Sequence, residues 1–275
     1  MKLATIARNS IRPAYFPVMA RKVYSRTRYA TTRERNAAAV WAAAEAQDMD
    51  TWARGQNAGL WEESLTFTHR LEEEARPRIA DLRVRGVELG GGGANQLLYF
   101  LTRLLAPRVV LETGVAAGWS TTAFLGGIRA NGYGHLYSSD FPYFRIPHPE
   151  RYVGYLVPEE VKGPWTLLLK GDRRNLEEIL LPGVTVDLAH YDSDKSRAGR
   201  EWFMRRVAGH LAPNAVVVMD DINDNLFFRD HVAQCDTEFR VFAYGDKYIG
   251  MIGDPAESSD GNHDVAGDPG ERERA

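Results

Sequence analysis

The residues best suited to chemistry lie in two short acidic runs, Tyr191-Asp192-Ser193-Asp194-Lys195 and Met219-Asp220-Asp221. Each run follows an apolar stretch that reads as a β-strand, so neighbouring strands would deliver Asp192 and the Asp220–Asp221 pair side by side. Three carboxylates at close range repel one another unless they are protonated or bridged by a cation. Ligation by oxygen alone selects a hard divalent ion, magnesium by default, with water or a substrate oxygen completing the octahedron. Taken singly, each acid reads equally well as a helix cap or a loop residue. Together, Asp192, Asp220 and Asp221 read as metal ligands, with Asp194 beside substrate or a nearby water.

A second constellation precedes them. Val109-Val110-Leu111-Glu112-Thr113 is a β-branched apolar run ending on an acid, followed by a turn containing Gly114 and Gly118 and then by Ser120, Thr121 and the apolar run Ala123-Phe124-Leu125. That order is a buried strand, a tight turn and the start of a helix. The glycines allow backbone N–H groups to approach a ligand, and the helix N-terminus favours an anionic group such as a carboxylate or phosphate. A lone pair of glycines at this spacing also occurs in turns that bind nothing, so the downstream strand ends carry the argument. Asp140 stands 22 residues after Gly118, where the second strand of such a sheet presents an acid to a ribose diol. Gly171 and Asp172 close the next strand, either facing an adenine ring or capping the helix that begins near Asn175.

The elements that would position these groups alternate along the chain. Strands are predicted at 109–113, 136–140, 165–170, 184–191 and 215–219, with helices at 95–105, 175–181 and 197–211. Phe239–Tyr244 and Tyr248–Ile252, joined by Gly245-Asp246-Lys247, form a predicted hairpin at the sheet edge. Repeated β-α units imply an α/β, Rossmann-like doubly wound, mostly parallel sheet of seven strands, with its ligand outside the carboxyl ends of the strands. From Thr32 to about Arg85 the pattern is helical, three or more helices forming a cap or a homo-oligomer surface. The run Gly90-Gly91-Gly92-Gly93 is a flexible break. The organisation read from this is a basic arm over 1–35, a helical segment over 36–93, a ligand-binding domain over 94–253 and an acidic tail over 254–275.

Composition limits the function classes. The 275 residues are 44% hydrophobic and 26% charged, and no apolar run approaches the length of a membrane span. Residues 1–35 carry nine Lys/Arg against Glu34, and 254–275 carry seven acids against two arginines, which leaves −6 of the overall −3 on the body. A net-acidic body is no nucleic-acid platform. The basic arm, with Ile6, Ile11, Tyr15, Phe16, Val18 and Met19 among its charges, is a solvated arm packed on the domain, a membrane-surface contact, a cover for the active site or an organellar presequence. The acidic tail is expected to be disordered. The single cysteine, Cys235, excludes an intramolecular disulfide and suits a reducing, cytoplasmic setting; it is expected to be a small buried hydrophobe.

The motif Glu112-x-Gly114-Val115-x-x-Gly118-x-Ser120, the preceding helix with Gln96, the run Asp192-Ser193-Asp194-Lys195 and the acid pair Asp220-Asp221 together resemble the class I, S-adenosylmethionine-dependent, divalent-cation-dependent O-methyltransferases. That group includes the catechol and caffeoyl-coenzyme A enzymes and the macrolide and aminocoumarin sugar O-methyltransferases. The resemblance covers roughly residues 94–253. It implies that Gly114, Gly118 and Ser120 hold the methionine moiety of S-adenosylmethionine, that Glu112 fixes the turn or the cofactor end, that Asp140 binds ribose and that Asp172 borders adenine. It places Lys195 at the catalytic lysine of the catechol and caffeoyl-type enzymes. Those enzymes carry Asp-Asn where this chain has Asp220-Asp221, which matches the sugar-modifying branch better, and the Asp-Ser-Asp run is also similar to proteins of the cephalosporin hydroxylase type. The N-terminal 90 residues match no family pattern, which leaves the acceptor open among sugars, phenols and natural-product alcohols.

Methyl transfer from a sulfonium needs an acceptor oxygen that is deprotonated, or nearly so, in line with the methyl group. A bound magnesium ion would lower the hydroxyl pKa, and Lys195 beside it would accept the proton. Two other classes use part of the same pattern. A nicotinamide-dependent oxidoreductase would employ the glycine turn and Asp140 but not three converging acids. A non-catalytic adenosine-binding partner protein would employ the N-terminal helices as its interaction surface.

Overall fold

In the computed structural model of the chain, residues 15–16, 18–20 and 31–255 are described. Most of the basic arm and all but the first two residues of the acidic tail therefore lie outside the described residues. The elements are α1 (Thr32–Glu45), β1 (Ala46–Gln47), α2 (Met49–Val84), α3 (Asn95–Leu105), β2 (Val109–Thr113), α4 (Trp119–Asn131), β3 (His135–Ser139), β4 (Trp165–Leu168), α5 (Asp172–Ile179), β5 (Val186–Tyr191), α6 (Arg197–Val207), β6 (Leu211–Met219), α7 (Phe227–Cys235), β7 (Phe239–Tyr244) and β8 (Lys247–Ile252).

One eight-stranded sheet runs in the order β1-β7-β8-β6-β5-β2-β3-β4. Strands β4, β3, β2, β5 and β6 pair in parallel, and β8 enters antiparallel to both β6 and β7. The order reverses between β2 and β5, so the crevice at their carboxyl ends is the topological switch point. Seven of the strands are those expected; the eighth, β1, is a two-residue parallel bridge to β7. It falls in a break between helices too short to leave a period-2 pattern.

Both faces of the sheet are covered, as a parallel sheet requires. Val110, Leu188, Val216 and Val218 face a layer containing Leu97, Phe100, Leu101, Phe124 and Leu125. Leu111, Ala189, Val217 and Met219 face Leu176, Phe203, Val207 and Phe228. Alternate residues of each strand thus enter opposite cores. The N-terminal helices share these cores, with Met49, Ala53 and Trp61 in the first and Ala42 in the second. They pack as part of the sheet's cover, in two helices, the longer interrupted at Asn57 (φ −161°, ψ 100°), whose side chain accepts a hydrogen bond from the Leu60 amide at 2.9 Å.

Cys235 departs from expectation: it is exposed, at the solvent end of α7 just before the left-handed Asp236. The gap between β3 and β4 holds no regular helix of α type, only two short 3-10 turns at Pro149–Tyr152 and Glu159–Val161.

Candidate active site

Hydrogen bonds that continue the ladders past the strand ends hold the functional residues in a row. Gly114 N donates to Ser139 O at 2.9 Å, Asp192 N to Thr113 O at 2.9 Å, Asp220 N to Tyr191 O at 3.1 Å and Asp140 N to Leu168 O at 3.0 Å. Asp140, Gly114, Asp192 and Asp220 therefore stand on adjacent strand ends.

The turn after β2 depends on its glycines. Gly114 has φ +91°, and a Cβ there would lie 2.3 Å from the carbonyl oxygen of Asp192; Gly118 has φ +97°, and a Cβ there would meet Val157 at 2.8 Å. Beneath the turn, Glu112 is completely buried and accepts hydrogen bonds from the hydroxyls of Ser120, Thr121 and Ser138. It fastens the start of α4 to β3, and Ser120 directs its hydroxyl inward to it. Burial is the largest influence on this carboxyl and pushes its pKa up to about 7, against the pull of the three hydroxyls. Asp140 folds back over the turn, its Oδ2 accepting from Val115 N at 3.1 Å and Ala116 N at 2.8 Å. Asp172 accepts from the Ser139 hydroxyl at 2.7 Å and the Ser193 hydroxyl at 2.6 Å, tying β4's end to the loop after β5. A Cβ on Gly171 would meet Val18 at 3.3 Å and Phe141 at 3.7 Å, so Val18 borders the edge read as the adenine side.

The three acids converge. One carboxylate oxygen from each of Asp192, Asp220 and Asp221 lies within 4.8 Å of the others. Asp194 stands apart, accepting from Ser196 N at 3.1 Å at the start of α6. The donor set is hard oxygen throughout and fits a hard divalent cation. Two lysines meet the same acids: Lys195 pairs with Asp192 at 3.3 Å and with Asp221, while Lys247 lies 3.5 Å from Asp220 and 3.3 Å from Asp221. Three carboxylates facing two ammonium groups leave one net negative charge. Asp192 is nevertheless pushed up to about 6, by burial first and by Asp220 second, with the lysines pulling the other way.

Three participants escaped the sequence reading. Lys247 was part of the hairpin turn, yet β8 starts there and runs antiparallel to β6 with Met219 opposite Gly250, which brings its first residue to the acid pair; the hairpin's direction was the available signal. Arg200 is fully buried on α6, and its Nη2 donates to the backbone carbonyls of Asp220 at 3.1 Å and Asp221 at 2.7 Å, holding the left-handed Asp221 (φ +51°) in place. His190 lies inside β5, two residues before Asp192 and thus on the same face of the sheet. A polar residue within an otherwise apolar parallel strand was the signal.

His190 lines a small cleft of about 20 Å³ together with Gly114, Val115, Trp119, Ser120, Asp192 and Asp220, and Gly90, Gly91 and Gly93 also border it. The tetraglycine run, expected as a flexible boundary, lies beside the site: a Cβ on Gly93 would sit 3.7 Å from Asp220 Oδ2, and one on Gly90 would sit 3.4 Å from the Tyr143 hydroxyl. Of the aromatic residues near the strand ends, Trp119 and Tyr143 border this cleft, whereas Tyr191, Phe227 and Phe228 are core.

A sheet of this order, with a glycine turn after its first long parallel strand and acids on the next strand ends, has the architecture of the class I methyltransferases. Residues 111–222 match the family model of a methyltransferase domain, which bears out the resemblance read from the motifs at the level of a methyltransferase. Among solved structures, the chain is similar to the O-methyltransferase TomG from Streptomyces achromogenes, involved in tomaymycin synthesis and solved with SAM, at 18% identity and a TM-score of 0.51, over 66% of this chain and 88% of that one. It is also similar to a methyltransferase from Geobacter sulfurreducens at 19% identity and a TM-score of 0.50, over 66% and 87%. No curated protein matches the sequence.

Proposed function

We propose that this chain is an S-adenosylmethionine-dependent O-methyltransferase that methylates a hydroxyl of a small molecule beside a cation held by Asp192, Asp220 and Asp221. The observation that carries the reading is the meeting of the Gly114–Gly118 turn and the acid cluster in one cavity. An oxidoreductase transferring hydride has no use for that conjunction.

The residues divide the work by their chemistry. The turn amides and the first N–H groups of α4 suit the carboxylate of an amino-acid moiety. Glu112 keeps the helix start in place through Ser120 and Thr121. Asp140, already bonded to the turn, would shift its carboxylate to take a ribose diol, and Asp172 with Gly171 would border the adenine. When bound, a divalent cation supplies Lewis acidity that makes an acceptor hydroxyl more acidic. Lys195 would take the hydroxyl proton; it is ion-paired with Asp192 and Asp221. Its action as a base is thereby tied to what those carboxylates bind. General-base help of this kind is worth about 10²–10⁴-fold.

Incubation with S-adenosylmethionine labelled in its methyl group, across a panel of sugar, phenol and aliphatic alcohol acceptors, tests the proposal. Label transfer to oxygen that is lost on exhaustive chelation and restored by magnesium supports it. Transfer unaffected by chelation removes the metal from the reading, and label found only on nitrogen or carbon removes the acceptor class.

A further inference from the structure

The cavity has two unlike walls. On one side lie Trp119 and Ser120 in the first turn of α4, with its N-terminal amides, and the turn residues Val115 and Ala116, whose amides donate to Asp140 until that carboxylate shifts to the ribose. On the other lie His190, Asp192 and Asp220, whose carboxylates and imidazole offer acceptors. A pocket with donors facing acceptors is complementary to a zwitterion, and the amino-acid end of S-adenosylmethionine is one. The helix N-terminus takes its carboxylate, and its ammonium group then points to the acceptor wall.

His190 is the distinctive member of that wall. It is 6% exposed, and its Nδ1 is sealed from solvent without a hydrogen-bond partner among the described residues. A buried polar atom left unpaired costs stability unless a ligand or water satisfies it. Its neighbours do not do so: the ring packs against Phe124 at 5.7 Å between centroids. Asp220 is engaged by Lys247, and Asp192 by Lys195. We infer that His190 is a cofactor-binding residue, its imidazole accepting a hydrogen bond from the α-ammonium group of S-adenosylmethionine. The inference rests on the methyltransferase reading and assigns one end of its cofactor.

Titration calorimetry on the full chain tests it with two ligands, S-adenosylmethionine and 5′-methylthioadenosine, which keeps the nucleoside and lacks the amino-acid end. Wild type binds both. His190→Phe, matched in shape to the site, weakens S-adenosylmethionine by about tenfold or more, as loss of a hydrogen bond to a charged group requires, and leaves methylthioadenosine within about twofold. His190→Asn, which keeps an acceptor, recovers part of the loss. Equal binding of S-adenosylmethionine by wild type and His190→Phe overturns the assignment alone, as does an equal loss for both ligands. Failure of wild type to bind S-adenosylmethionine overturns the methyltransferase reading itself. If the variants do not fold, the ring-nitrogen resonances of His190 in ¹⁵N-histidine-labelled wild type decide. They shift with S-adenosylmethionine and not with methylthioadenosine if the inference holds, and an identical response to both ligands refutes it.

Discussion

Glu112→Gln isolates a single buried carboxyl and should change how stability depends on pH. Glu112 has no exposed surface, and its folded-state pKa lies near 7 against an ordinary 4.5. The folded state therefore holds this proton over a range in which the unfolded chain has released it. Its contribution to stability is fully present below about pH 4.5 and is lost as pH rises through about 7. From about pH 5 to about pH 8 the loss amounts to about 2–3 kcal/mol. A glutamine at the same position keeps hydrogen-bonding contact with Ser120, Thr121 and Ser138 and cannot ionise. Urea unfolding of both proteins across this pH range gives the comparison, and the difference between the two profiles cancels every other titrating group. The wild type should lose about 2–3 kcal/mol more than the variant between the two ends. Parallel profiles would refute the account of Glu112 as a carboxyl raised by burial beneath the turn.

Three further outcomes follow from the acid cluster and its lysines. Asp192→Ala and Asp221→Ala should each abolish magnesium-dependent methyl transfer while S-adenosylmethionine still binds; calorimetry with labelled-methyl assays checks both halves. Lys195→Ala should lower kcat by about 10²–10⁴-fold with the affinity for S-adenosylmethionine preserved, and a variant turning over at the wild-type rate would remove Lys195 from proton transfer. Lys247→Ala leaves the acids with one ammonium group fewer, so affinity for manganese, read by electron paramagnetic resonance, should rise; weaker manganese binding would mean that Lys247 organises the cluster instead of competing for it.

The strands β2, β5 and β6 could be read because each is an apolar run with β-branched residues, β3 (HLYSS) and β4 were read as short runs closed by Asp140 and by Gly171-Asp172, and in this fold such endings are where a ligand sits. The acids at 192, 220 and 221 followed from the same rule, since adjacent strands in a parallel sheet end at one edge. Lys247 was hidden because its approach depends on β8 reversing direction beside β6, a pairing that neither hairpin strand displays on its own. Arg200 was hidden because a charged residue on an amphipathic helix reads as exposed, whereas here it is buried to hold two backbone carbonyls. The place of the tetraglycine run beside the site was hidden because glycine runs are compositionally those of linkers; here a Cβ on Gly92 would lie 2.8 Å from Asn95 Nδ2 and 3.3 Å from the Trp119 ring. Asp140 stands where the fold predicts, but local sequence does not reveal that its carboxylate is bonded to the turn amides in this structure.

Equilibrium titration of the full chain with S-adenosylmethionine and, separately, with NAD tests the central claim most directly. The account predicts saturable binding of S-adenosylmethionine at one site and none of NAD under the same conditions. Binding of NAD with no binding of S-adenosylmethionine would contradict it.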